Sequence, residues 1–101
     1  MTQSERVEYM GRILEEASAM IDALSSMLDR YDALVPAIDE LEAYYTGPQW
    51  IRDYEDDCAG AIPAEINRSV LSQDAVYDLL ELRDVLHARM TRITAQRSAA
   101  C

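Results

Sequence analysis

The chain has 101 residues, half of them hydrophobic, with three Gly, three Pro and no Phe. That size and composition imply one domain of mostly regular structure, with a modest core of Leu, Ile, Val, Met and Tyr, and exclude large multi-layer enzyme folds. Nineteen acids against nine Arg, with no Lys, give a formal charge of -10, which opposes binding to nucleic acid or to anionic membranes.

The charge is uneven. Residues 1–57 carry fourteen acids and four Arg, whereas residues 58–101 carry five of each, so electrostatic recognition is expected to centre on the first half. The opening residues, Met1 to Arg6, lack the basic end and apolar run of a signal peptide, and no stretch approaches the roughly eighteen apolar residues of a membrane span. A cytoplasmic location is the expectation.

A long amphipathic helix is predicted over residues 4–45. Val7, Leu14, Ile21, Leu28 and Val35 form one heptad row, and Met10, Ala17, Leu24, Tyr31, Ile38 and Tyr45 the other. Ile13, Met20, Met27, Leu34 and Leu41 lie beside that seam and widen it to the three-in-seven stripe of a bundle helix, which expects two neighbours rather than one. Thr2 with Glu5, or Ser4 alone, can cap its start, and Gly47-Pro48 closes it. Pro36 lacks the N–H for the turn back to Asp32, so a kink is expected there.

Residues 49–57 read as a short helix and 58–71 as an irregular stretch with Gly60 and Pro63. Trp50, Tyr54, Ile62, Ile66, Val70 and Leu71 supply the apolar mass of this region, which is expected to cap the first helix from Leu34 to Tyr45. A last helix is predicted from Ser72, as N-cap, to Gln96, with 97–101 as a frayed tail. Arg83, Arg89, Arg92 and Arg97 lie in its second half and favour antiparallel packing on the first helix, beside Glu5, Glu8, Glu15 and Glu16. The predicted fold is therefore all-α: a long kinked N-terminal helix packed antiparallel on a C-terminal helix, with a short helix and a capping segment between them.

The run Trp50-Ile51-Arg52-Asp53-Tyr54-Glu55-Asp56-Asp57, then Ile62-Pro63, then Arg68 through Leu80, resembles a bacterial family catalogued as domain of unknown function 4298. With Tyr44-Tyr45 and the heptad helix, the resemblance spans nearly the whole chain. It departs from the family pattern at Ser69, where members tend to have Gly, and at Gln73, where they tend to have Glu. The resemblance implies a fold and brings no activity, ligand or catalytic residue.

Asp53, Glu55, Asp56 and Asp57 are the densest acidic cluster and the metal candidates. With Asp53 at position 1 of a calcium loop, however, the required Gly falls on Cys58 and the required Glu on Ala64. The alternative is a solvated helix end neutralised by Arg52 or Arg68. Asp84 and His87 have an i, i+3 metal spacing, but helical di-metal sites need two such pairs and further Glu residues. Cys58 and Cys101 have neither metal-ligand spacing nor a base in reach, and read as free thiols.

No cofactor motif and no catalytic set is present. The expected function is a protein–protein interaction or self-association module, either a homodimer or a module docking a helical or basic protein partner. The alternative is a helical metal- or small-ligand-binding or catalytic domain using segment 50–57, with Trp50, Asp53, Tyr54 and Arg68 as its surface.

Overall fold

A computed structural model describes the backbone of residues 1–99; the predicted thiol of Cys101 and the very end of the tail lie outside the described residues. The chain is all-α, and its described residues form three helices, α1 (Gln3–Thr46), α2 (Pro48–Cys58) and α3 (Ala75–Ala99), plus one 3₁₀ turn (Ser69–Leu71). Among the described residues no helix is long and apolar enough to cross a membrane. The chain divides into two compact units, residues 1–38 and the part from Asp39 onward. The division falls two residues beyond Pro36, and α1 runs through that proline without a break in its helical assignment.

The first unit is the helix itself. Its start is a reciprocal cap: the Glu5 N–H donates to Thr2 Oγ1 at 3.1 Å and the Thr2 N–H donates to Glu5 Oε1 at 3.2 Å, which satisfies two of the donors that a helix N-terminus leaves open. These bonds hold the Glu5 carboxyl below its usual range. From Val7 to Leu28 the apolar rows face solvent, with Val7, Leu14 and Ile21 each about two-thirds exposed, whereas Tyr31, Val35 and Ile38 are half-buried.

The second unit contains the buried residues. Among the described residues, Leu71 and Val76 are the buried hydrophobics, and Leu41, Tyr44, Tyr45, Trp50, Ile62, Val70, Leu80 and Met90 are half-buried. The middle of the chain thus packs with the last turns of α1, covering Leu41 to Tyr45, whereas Leu34 stays 54% exposed. At the turn into α2 the Gly47 N–H donates to the Tyr44 carbonyl, and a Cβ on Gly47 would stand 3.1 Å from the Ala43 carbonyl oxygen. Pro48 follows at the first turn of α2, where its missing N–H and fixed φ suit a helix start.

α2 ends in a Schellman arrangement. The Gly60 N–H donates to Asp57 O at 3.0 Å, and the Ala61 N–H to Asp56 O at 2.9 Å, with Gly60 at φ 77°. An L side chain is strained in that conformation, so Gly60→Ala is expected to cost about 1 kcal/mol. Thermal unfolding followed by the fluorescence of Trp50 measures it, and an unmoved midpoint would contradict the assignment.

The last helix starts later than predicted. Ser72 is extended (φ −67°, ψ 134°) and ends the 3₁₀ turn, its N–H donating to Ser69 O. Ser72 is thereby used in closing the turn that holds buried Leu71, and the helix starts at Ala75, where the Asp74 carbonyl accepts the first helical bond, from Asp78 at 2.8 Å. α3 continues past Gln96 to Ala99.

Candidate functional site

The acidic and aromatic side chains singled out in the sequence lie in the second unit, where a Gly-Pro turn folds the end of α1 against α2. One helical turn before that bend, Tyr44 donates its phenol O–H to Asp53 Oδ2 at 2.6 Å, and Gln49 Nε2 donates to Asp53 Oδ1 at 2.9 Å. Both carboxylate oxygens of Asp53 are therefore engaged. The bond from Tyr44, then that from Gln49, holds the Asp53 carboxyl below its usual range, and the same bond, with partial burial, raises the Tyr44 phenol to about 12.

Trp50 is the centre of an aromatic stack. Its ring meets Tyr45 edge-on at 5.1 Å and 71°, and stacks on Tyr54 at 5.3 Å and 14°, both favourable geometries for aromatic pairs. Its indole Nε1–H donates to the Val70 carbonyl at 2.8 Å, which ties α2 to the 3₁₀ turn beside buried Leu71. Tyr54 accepts a bond from Gln73 Nε2 at 2.9 Å, and the neighbouring Cys58 thiol raises its pKa.

Arg68 is elsewhere. Its guanidinium pairs with Asp57 Oδ1 at 2.6 Å, on the rim of an open groove of about 460 Å³ formed by Asp57, Ile66, Asn67, Ser69, Leu71 and Ser72. Trp50, Asp53 and Tyr54 do not line that groove, so the four residues of the predicted surface do not converge on one cleft. Glu55 and Asp56 are exposed on α2. Among the described residues no group of three or more His, Cys, Asp or Glu side chains is placed to hold a metal ion. Asp84 accepts from Arg83 Nε at 3.1 Å, and Cys58 is a free, exposed thiol.

A further tie joins α1 to α3. Arg83, only 17% exposed, reaches both carboxylate oxygens of Glu42 at 3.3 Å, and Glu42, ahead of Asp84, raises its pKa. Sequence reasoning placed Arg83 beside the acids near the N-terminus and missed Glu42, which interrupts the apolar run between Leu41 and Tyr44-Tyr45. It also missed the partner of Tyr44, for which the nine-residue spacing across Gly47-Pro48 is the available signal.

The Tyr44–Asp53 bond sets two pH limits. Asp53 has a depressed folded pKa, so its contribution is present above the unfolded carboxyl value and fades as pH falls through the folded value. Tyr44 has a raised folded pKa, so its contribution is complete below about 10 and is lost as pH rises through about 12. Spectrophotometric titration is expected to show late phenol ionisation from Tyr44, near 12, and from Tyr54, whose pKa is also raised. In Tyr44→Phe the step near 12 disappears and both pH limits soften; an unchanged late amplitude would contradict the assignment.

These observations define a small all-α domain in which the polar groups of the helix junction bond one another and hold the junction shut. The chain belongs to the family described as Domain of unknown function (DUF4298), which it matches over residues 7–93. Neither a curated protein nor a solved structure matches it.

Proposed function

We propose that the chain is a protein–protein interaction module working in the cytoplasm, with the apolar face of α1 from Val7 to Leu34 as its binding element. The observation that carries this reading is the exposure of that face: Met10, Met20, Leu24 and Met27 are each 55–63% exposed, alongside Val7, Leu14 and Ile21. At about 1.5 Å per residue the face is about 40 Å long, and a continuous apolar strip of this kind is the mark of an interaction site. Ligand binding or catalysis at segment 50–57 draws less support, because Trp50, Asp53 and Tyr54 are each committed to an internal bond or stack.

Co-purification of the native full-length chain with its partners tests the reading, with Leu14→Gln/Leu24→Gln as the comparison. A partner set retained by the native chain and lost by the double variant is expected. A set indifferent to the double variant would sink it.

A further inference from the structure

Two further heptad rows run along the binding face proposed above. Ser4, Gly11, Ser18 and Ser25 lie next to the Val7 row, and beyond them Glu8, Glu15, Asp22 and Asp29 repeat at intervals of seven. At 100° per residue the order around the helix is apolar stripe, small row, acid row. The opposite flank, with Tyr9, Glu16, Ala23 and Arg30, has no such row. All four acids of the row are exposed, and among the described residues Glu8 alone of the four makes an ion pair, with Arg12 at 3.8 Å.

Gly11 adds an independent observation. It sits inside α1, where Gly costs about 1 kcal/mol relative to Ala, and nothing lies within 4 Å of the place its Cβ would occupy. Neither a turn, a positive φ nor an intramolecular contact calls for Gly there. A small residue at that point leaves room for the close approach of something outside the chain.

We infer that this face docks an amphipathic helix of a partner protein whose apolar seam carries a row of Arg or Lys along one side. The seam meets the stripe, and the cationic side chains cross the small row, their aliphatic stems over Gly11, Ser18 and Ser25, to reach the acid row. A second copy of α1 fits worse. Paired antiparallel, two acid rows fall on the same side of the interface; paired parallel, the facing flank offers only Arg6 and Arg30. Like charges so placed select against self-pairing. The inference rests on the proposed function and adds the chemistry of the partner.

The test uses the full chain and two synthetic 28-residue helical peptides with the same Leu seam, one with Arg and one with Gln along one flank. Their binding is read by fluorescence anisotropy near physiological salt. The Arg peptide is expected to bind at least tenfold more tightly. Neutralising the row (Glu8→Gln, Glu15→Gln, Asp22→Asn, Asp29→Asn) should remove that advantage, whereas neutralising Glu40, Glu55, Asp56 and Glu65 should leave most of it. Gly11→Gln/Ser18→Gln should weaken binding tenfold while the helix melts no earlier than in the native chain, which separates docking from folding.

Equal loss from both fourfold variants would show attraction by net charge only and overturn the inference. If both peptides bind equally and Leu14→Gln/Leu24→Gln abolishes both, the cationic row is overturned and the docking function stands. If neither peptide binds, both readings fail, with light scattering showing whether a second copy (a dimer) or the chain's own helices (a monomer) occupy the face.

Discussion

Trp50→Ala is expected to lower the stability of the unit from Asp39 onward by about 3 kcal/mol, as Trp truncations in packed sites do, and its unfolding midpoint by about 15 °C at the 4–8 °C per kcal/mol of a small domain. The size follows from three simultaneous losses. The edge contact with Tyr45 and the stack on Tyr54 disappear, and the Val70 carbonyl loses its indole donor. The last loss propagates furthest, because Val70 lies in the 3₁₀ turn beside Leu71, one of the two buried hydrophobics among the described residues. Trp50→Phe separates the contributions: it keeps an aromatic ring in the stack and removes the N–H with part of the ring area, at an intermediate cost of about 1–2 kcal/mol. Calorimetry or circular dichroism measures both, and a Trp50→Ala variant that melts with the native chain would remove Trp50 from its central role.

The second large effect is on association. Leu14→Gln/Leu24→Gln is expected to leave the unfolding of the Trp50 region within about 0.5 kcal/mol of the native chain, as exposed substitutions usually do, since both leucines are more than half exposed. Gln and Leu have similar helix propensities, so α1 itself is little altered. Recovery of partners, in contrast, is expected to fall by about thirtyfold or more for each leucine that is a central contact, equivalent to about 2 kcal/mol. A double variant that unfolds the Trp50 region together with the loss of binding would show that these leucines belong to a core.

Much of this was legible in the sequence. The heptad rows announced α1, Thr2 and Glu5 announced its cap, and Gly47-Pro48 announced its end, because each is a local pattern with a local cause. The family resemblance was legible in the run from Trp50 to Leu80, and the match extends to residues 7–93. The pairing of Arg68 with the acidic cluster was legible too.

Long-range bonds were not. Ser72 has the composition of an N-cap, but its N–H closes the 3₁₀ turn that holds Leu71 and the helix starts at Ala75. The Val70 carbonyl as the partner of the Trp50 indole is twenty residues away, and Glu42 is forty-one residues from Arg83. A backbone acceptor carries no signature in sequence, and a charged residue has many candidate partners until the chain is folded. Segment 50–57 read as a cap on α1, with an open binding surface as the alternative; Trp50, Asp53 and Tyr54 are turned to neighbours within the junction, while Glu55 and Asp56 stay exposed.

Amide hydrogen exchange on the full chain, alone and with the co-purified partner, tests the central claim most directly. In the isolated chain, amides between Val7 and Val35 are expected to exchange much faster than those of Leu41–Cys58 and Val76–Leu80, because a helix without a covered apolar face is only marginally stable, and the partner should slow exchange along that face first. Equal protection of the two regions in the isolated chain, with no change on adding the partner, would contradict the claim that α1 presents an open docking face.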